Sequence, residues 1–183
     1  MTETELIKGL SRQDTKAQQQ TIDRYGREVF ALVVRLVAVA ENAEEVYQDV
    51  FVKVFRNIGQ YDAGRSSFRT WILRIAYNEA ISFLRRKRLP VVYFEDRGHE
   101  ADKLSDAEVD ETLGHVSTET VQLIRAALKH LPPEERALIT MFYYEERSLK
   151  EIADITGSIP TTIASRLSRT RKKLCRIIKM LQS

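Results

Sequence analysis

Apolar residues recur along the chain at helical spacing, and no stretch shows the apolar–polar alternation of a half-buried strand. The clearest pattern lies between residues 43 and 58, where apolar positions step by three and by one around a single helix face. That face consists of Ala43, Val46, Tyr47, Val50, Phe51, Val54, Phe55 and Ile58. Similar patterns predict helices over about 68–88, 117–131, 133–145 and 159–181. In the helix at 68–88 the predicted inward residues are Phe68, Trp71, Ile72, Ile75, Ala76 and Leu84, and in the last helix they are Ile163, Leu167, Leu174, Ile178 and Leu181. The chain is therefore predicted to be all-α.

Residues 148–181 have the pattern of a helix-turn-helix. Ser148 and Glu151 have the spacing of a capping box, which predicts the start of a short helix. Gly157 lies in the break after that helix, where a glycine accommodates the positive φ of a turn. The second helix of such a motif enters the DNA major groove with its N-terminal residues at base edges. An ordinary helical hairpin with a basic face is the simpler interpretation.

The second helix of this motif carries hydroxyl and guanidinium groups, which match the donors and acceptors of the major groove. The predicted base-edge contacts are Thr161, Thr162, Ser165, Arg166 and Arg169. Further along the helix, Arg171, Lys172, Lys173 and Arg176 are predicted to meet phosphates.

An acidic segment separates the two halves of the chain. From Glu95 to Val116 few residues are apolar, so the segment buries too little surface to offset its ordering entropy. We predict two small helical domains, 1–92 and 117–183, joined by a flexible acidic linker at 93–116. The second domain contains the helix-turn-helix.

Charge changes this picture more than overall composition does. The 183 residues carry a net charge of only +3, but two segments are strongly basic. Residues 65–90 hold 7 Lys and Arg against 1 acidic residue, and residues 159–183 hold 7 against none. Two separated cationic blocks predict a long polyanion contacted at two places, whereas solvated helix faces are the alternative interpretation.

Composition excludes several classes of protein. No window approaches 18 uncharged apolar residues, because Arg35 interrupts the longest run, and Met1–Leu10 lacks the layout of a signal peptide. With one cysteine, Cys175, the chain has no internal disulfide, so a soluble cytoplasmic protein is expected. No phosphate-binding glycine loop or nucleophile elbow appears, so we expect no enzyme activity and no cofactor.

Two residue groups have side chains that could form chemical sites. Glu111 and His115 lie four apart and could share a helix face, but two ligands in an acidic linker make a poor metal site, and we expect none. Cys175 lies beside basic side chains, which could depress its pKa, although a small packed residue is the simpler interpretation.

Two polar faces in the first half remain to be explained. The helix at 43–58 carries a charged side opposite its apolar face, and Val52 lies among those charges; solvent or a docked helix would each fit. The helix at 68–88 carries Arg74, Asn78, Ser82 and Arg85 on one stripe. It ends in four consecutive cations, which repel one another, so a phosphate backbone is a better reason for them than the helix dipole.

In its motifs and their order the chain resembles the extracytoplasmic-function (ECF) group of bacterial sigma factors, which retain regions 2 and 4. The segment Ala43–Phe51 resembles the part of region 2 that binds the β′ clamp helices of RNA polymerase. The segment Tyr61–Asn78 resembles the part that opens and reads the minus-ten promoter element. The segments Leu131–Arg136 and Ser148–Leu174 resemble region 4, which reads the minus-thirty-five element and contacts the β flap.

The resemblance implies roles for individual residues. Asn78 would read the duplex edge, Arg74, Arg85 and Arg86 would neutralise phosphates, and the loop before Phe68 would capture a flipped base. The implied minus-ten contacts are Tyr61, Ser66, Ser67, Phe68, Arg69, Arg74, Asn78, Arg85 and Arg86. The implied polymerase contacts are Glu45, Gln48, Asp49, Val52, Lys53 and Arg56. Trp71 would pack in the core or stack on nucleic acid.

The implied function is a transcription initiation factor that directs core RNA polymerase to promoters and helps to open them. Core polymerase, promoter DNA and an anti-sigma factor are the implied partners, without membrane insertion. A stand-alone helix-turn-helix regulator is the alternative. Two departures from the family pattern are Ala164, where a basic residue is common, and Pro160, which comes one residue later than the usual turn proline.

Overall fold

The computed structural model describes residues 1–37, 40–87, 104–114 and 118–183, and these residues form helices without a strand among them. The predicted all-α fold is confirmed. In chain order the elements are α1 (Glu3–Ser11), α2 (Thr15–Val37), α3 (Ala40–Arg56), a 3₁₀ turn (Ile58–Gln60), α4 (Phe68–Lys87), α5 (Asp106–Gly114), α6 (Thr118–Leu128), α7 (Pro133–Ile139), a π-helical turn (Thr140–Tyr144), α8 (Leu149–Thr156) and α9 (Pro160–Gln182).

The chain divides into two compact units. The first comprises residues 1–87 together with 150–158, and the second comprises the described residues of 88–149 together with 159–183. The sequence predicted domains at 1–92 and 117–183, so the structure differs in grouping α8 with the first unit. Hydrogen bonds from α4 to α8 accompany this grouping and are described below.

The core of the first unit forms where α2, α3 and α4 pack against one another and α1 packs on α2. Helix α3 contributes the face predicted from its sequence: Ala43, Val46, Val50, Phe51, Val54 and the following Ile58 are buried, while Tyr47 and Phe55 are half-buried. Each fully buried aliphatic side chain stabilises the fold by about 1.5–3 kcal/mol relative to exposure. The α3 pattern therefore fixes which side of the helix is available to a partner.

Helix α4 is buried over a wider arc than its sequence predicted. Phe68, Ile72, Ala76 and Leu84 are buried as expected, whereas Trp71 and Ile75 are half-buried. Five further apolar side chains are also buried, namely Leu73, Tyr77, Ala80, Ile81 and Phe83. The reason is that α4 packs on α2 and on α3 at once, so two of its faces enter the core.

Helix α9 is the centre of the second unit, where α5, α6 and α7 pack against it. The predicted inward residues Ile163, Leu167, Leu174 and Ile178 are at most 6% exposed. Leu181 was predicted to point inward as well, and that is wrong, because it is 43% exposed. It lies in the last turn, beyond the part of α9 whose apolar side chains are buried.

Part of the predicted flexible linker is helical. Helix α5 begins with a capping arrangement in which Glu108 accepts from the Ser105 amide at 2.8 Å and donates its own amide to Ser105 Oγ at 3.3 Å. The hydrogen bonds from Ser105 lower the pKa of the Glu108 carboxyl. Val109 is 1% exposed and anchors the helix. Local capping and one buried side chain thus order residues 106–114; the rest of the predicted linker, apart from Leu104 and Ser105, lies outside the described residues.

Gly9 marks a close approach between α1 and α2. A Cβ atom added at Gly9 would lie 2.6 Å from the Cβ of Ala17, which is fully buried. Neither atom can rotate away, because a Cβ is fixed to the backbone. The two helices would have to separate.

We expect Gly9→Ala to lower the free energy of unfolding by about 1–3 kcal/mol, as overpacking does. Chemical denaturation followed by circular dichroism measures this. Gly59→Ala is the matched control, since a Cβ there meets nothing within 4 Å, and its effect should stay below about 1 kcal/mol. Equal effects of the two substitutions would contradict the close approach.

Candidate nucleic-acid interface and protein-docking surface

The outward side of α3 forms a continuous polar surface, which we call the α3 polar face. All six predicted polymerase contacts are exposed there: Glu45, Gln48, Asp49, Val52, Lys53 and Arg56. Val52 is 44% exposed among these charged and polar groups. Lys53 also forms an ion pair with Glu79 of α4, a partner that the sequence pattern did not identify.

An aromatic cluster lies beside the α3 polar face. Tyr47 makes edge contacts with Phe30 and Phe51, with ring centroids 5.6 and 5.1 Å apart. A shallow depression lined by Gly26, Arg27, Phe30, Glu44, Tyr47 and Gln48 surrounds it. Gln48 therefore belongs both to the depression and to the polar face. Burial is the main cause that raises the pKa of the Tyr47 hydroxyl.

The loop before α4 is held by its own hydrogen bonds. Tyr61 Oη donates to the Ser66 carbonyl at 3.1 Å, and the Gly64 amide donates to Asp62 Oδ1 at 2.8 Å. Of the two serines that precede α4, Ser67 caps the helix, because its Oγ accepts from the Thr70 amide at 3.2 Å. Ser67 is exposed and Ser66 is half-buried.

Four aromatic rings pack where this loop meets α4. Phe68 contacts Tyr25, Tyr61 and Trp71, with centroids 5.6, 5.2 and 5.8 Å away. Phe68 is 0% exposed, so its predicted role as a DNA contact is corrected to one in the core. Tyr61 and Trp71 are half-buried and keep part of their rings at the surface. Burial is the main cause that raises the pKa of Tyr61.

The outward side of α4 forms a second polar surface, which we call the α4 cationic face. Asn78, Arg85 and Arg86 are exposed on it, as predicted. Arg69 Nε donates to Glu28 at 2.8 Å and its Nη1 lies 3.5 Å from Glu151. Arg74 Nε donates to the Asp154 carbonyl at 2.8 Å. The sequence did not predict these acceptors, because they come from distant parts of the chain.

The turn before α9 has the predicted backbone. Gly157 adopts a φ of +73°, and the Ser158 amide donates to the Ala153 carbonyl at 2.9 Å, which ends α8. The first turns of α9 then present exposed side chains, and we call this surface the α9 recognition face. Thr161, Thr162, Ser165 and Arg169 are exposed, and Arg166 is half-buried.

Two cations further along α9 have partners inside the second unit. Arg171 forms an ion pair with Asp110 of α5 and lies over the Tyr143 ring, 5.8 Å from its centroid. Lys173 Nζ lies 3.0 Å from Glu135. Both residues were predicted to meet phosphates, as were Lys172 and Arg176, which are half-buried. For Arg171 and Lys173, phosphates would have to replace these carboxylates.

The described residues contain no group of three or more His, Cys, Asp and Glu that could hold a metal ion, and His115 of the Glu111 and His115 pair lies outside them. Cys175 is fully buried, which fits the packed alternative. Within the same ranges, no helix has both the length and the apolarity needed to cross a bilayer.

Comparison with known proteins decides the family. Residues 21–89 match the model of Sigma-70 region 2, and residues 121–174 match that of Sigma-70, region 4. The ECF RNA polymerase sigma factor SigW of Bacillus subtilis is 30% identical over 174 residues, which cover 92% of each chain. The chain belongs to the ECF family of RNA polymerase sigma factors. As such it is a transcription initiation factor.

Further relatives agree with this ECF assignment. The RNA polymerase sigma-H factor of Pseudomonas aeruginosa is 29% identical over 183 residues, covering 97% of this chain and 94% of the relative. Among solved structures, CnrH in complex with the cytosolic domain of CnrY aligns with a TM-score of 0.59 at 22% identity, over 96% of both chains. RpoE in complex with the anti-sigma factor NepR from Bartonella quintana gives the same TM-score at 23% identity, over 88% of this chain and 96% of that one. These two structures support the fold.

The contact between Asp110 and Arg171 leads to a prediction for this ECF sigma factor. Asp110→Asn removes the internal counter-charge of Arg171, so DNA affinity should rise a few-fold at low salt and fall more steeply with salt. Fluorescence anisotropy with duplex DNA measures both effects. Glu111→Gln is the matched control, because it removes one negative charge from an exposed neighbour on α5. If both substitutions raise affinity equally, Asp110 has no specific effect on Arg171.

Proposed function

We propose that this chain binds core RNA polymerase through the α3 polar face and reads promoter DNA through the α4 cationic face and the α9 recognition face. The observation that carries the proposal is the exposure of all six α3 residues opposite a fully packed core. Val52 adds an exposed apolar side chain among the charged and polar groups of this surface. An exposed valine surrounded by polar groups is suited to the centre of a protein interface.

The polymerase elements that we assign to the chain are the β′ clamp helices, for the α3 polar face, and the β flap, for the second unit. Polymerase and promoter DNA meet in the cytoplasm, so this is where the chain acts. The chain supplies binding energy and no chemical step, and it needs no cofactor. An anti-sigma factor is the further partner that we propose, in keeping with the named partner of RpoE from Bartonella quintana.

At the minus-ten element, Asn78 is assigned to base edges and Arg85 and Arg86 to phosphates, since all three are exposed on α4. Tyr61, Ser66 and Ser67 border the loop that would hold an unstacked base, and the exposed part of Tyr61 gives that base an aromatic neighbour. Arg69 and Arg74 contact phosphate only if phosphate oxygens replace Glu28, Glu151 and the Asp154 carbonyl.

At the minus-thirty-five element, Thr161, Thr162, Ser165, Arg166 and Arg169 are assigned to base edges. Two of them are oriented by the helix itself. Ser165 Oγ donates to the Thr161 carbonyl at 3.1 Å, and Arg169 Nε donates to the Ser165 carbonyl at 3.4 Å. The remaining guanidinium nitrogens of Arg169 can still donate in pairs to a guanine edge. Arg171 and Lys172 follow on the same helix and are assigned to phosphates.

The first experiment is run-off transcription by bacterial core polymerase together with the purified chain. The template is a promoter selected from a random DNA pool by that holoenzyme. We expect promoter-dependent transcript, and we expect Asn78→Ala and Arg169→Ala each to reduce it about 5- to 100-fold, as loss of a base contact does. Gln20→Ala and Lys179→Ala are matched controls, because Gln20 is an exposed amide of the first unit and Lys179 is an exposed cation of α9, and neither is assigned to a DNA contact.

A stand-alone regulator gives a different result in the same assay. It would bind the selected DNA without polymerase and would yield no promoter-dependent transcript. That outcome would mean that these surfaces serve a stand-alone regulator and do not bind polymerase and promoter as proposed.

A second experiment tests the α3 polar face alone. Val52→Asp places a charge at the centre of the proposed interface, so the affinity for core polymerase should fall at least tenfold while the fold is kept, because the side chain is exposed. Size-exclusion chromatography and anisotropy with labelled chain measure this. Gln20→Asp, at an exposed position on α2, is the matched control. Unchanged affinity of the Val52 variant would remove α3 from the interface.

A further inference from the structure

Ile159 is the most exposed large apolar side chain in the part of the molecule that the structure describes. It is 61% exposed, more than Met180 at 59% or Tyr144 at 46%. It occupies the N-cap position of α9, with a φ of −112° and a ψ of 150°. Ile159 lies directly ahead of the α9 recognition face, which distinguishes it from an isolated apolar residue elsewhere on the surface.

Isoleucine is an unfavourable residue at the N-cap of a helix. Ser, Thr, Asp and Asn are preferred at an N-cap because their side chains accept from the first amides, and Ile159 makes no such bond. The next residue, Pro160, restricts Ile159 to extended backbone, so the direction of its Cα–Cβ bond is fixed before any ligand arrives. An exposed isoleucine at this position therefore does not stabilise α9 in the free protein.

The neighbours of Ile159 indicate what covers it. Thr161 and Thr162 follow it on exposed positions of α9. Because Ile159 directly precedes the first residue of α9, it stands at the leading end of the recognition face. In the major groove the thymine C5-methyl is the apolar group on the base edges. An isoleucine at the front of a recognition helix matches that methyl in shape and polarity.

We propose that Ile159 contacts a thymine C5-methyl group in the upstream promoter element and thereby selects for thymine at that position. This inference rests on the proposed function, because it requires α9 to enter the major groove. It adds a residue to those assigned from the helix-turn-helix pattern, which names hydroxyl and guanidinium groups only.

The test removes the methyl group from the DNA and the side chain from the protein. Each thymine of the upstream element, on both strands of the selected promoter, is replaced in turn by 2′-deoxyuridine, which keeps the base pair and loses the methyl. With wild-type holoenzyme, promoter affinity should fall about three- to fivefold at one or two positions, as loss of one buried methyl implies. Ile159→Ala holoenzyme should lose a similar factor on the unmodified promoter. It should then be indifferent to deoxyuridine at those same positions.

The matched control is Met180→Ala, which truncates an equally exposed side chain at the other end of α9. It should keep the wild-type response to every deoxyuridine. Circular dichroism of each variant verifies that the fold is retained.

Three outcomes would overturn the inference while leaving the proposed function in place, provided that transcription is still promoter-dependent. The first is that no deoxyuridine position affects wild-type holoenzyme. The second is that Ile159→Ala weakens binding equally on thymine and deoxyuridine promoters. The third is a selected upstream element that lacks A·T pairs. Absence of any promoter-dependent transcript would instead overturn the proposed function, and the inference with it.

Discussion

The mutual burial of one apolar arc on each of α2, α3 and α4 is the constraint on which the first unit depends. Because α3 can bury only one side, its packing turns Gln48, Val52 and their neighbours outward as a set. The same packing holds α4 by two of its faces and leaves Asn78 on the third. Surfaces that a partner could recognise are therefore by-products of core formation. The backbone that carries these exposed side chains is held in place, because each of them lies on a helix whose other side is packed in the core.

In the second unit α9 serves two purposes at once. Its apolar stripe holds the unit together, and its first turns carry the exposed hydroxyl groups of Thr161, Thr162 and Ser165 and the exposed guanidinium group of Arg169. Towards the middle of the helix the cations are paired with carboxylates, as Arg171 is with Asp110. The charge along α9 is therefore graded: exposed donors come first and internally neutralised cations come later. A polyanion that binds this helix could contact the exposed groups of the first turns directly. At Arg171 and Lys173 it would first have to displace the paired carboxylates.

Some of the predicted site residues are exposed as the sequence predicted and others are buried, and the reasons are physical. The α3 polar face could be predicted in full, because a helix of period 3.6 with one apolar stripe has only one way to lie on a core. Phe68 could not be placed in this way, since its position at the end of a loop allowed either a nucleic-acid contact or the aromatic cluster with Tyr25 and Trp71. Leu181 shared the phase of the buried stripe, but periodicity does not indicate where the packing partner ends.

The sequence alone determined the helical class, the phase of the apolar faces of α3 and α9, the glycine turn before α9 and the membership of a family, because these depend on local spacing and on motifs close together in the chain. The tertiary structure alone decided which charged groups already have partners. Lys53 with Glu79, Arg69 with Glu28 and Arg171 with Asp110 join residues 26, 41 and 61 positions apart. Such pairs follow from how helices pack in three dimensions, which no periodicity along a single helix encodes.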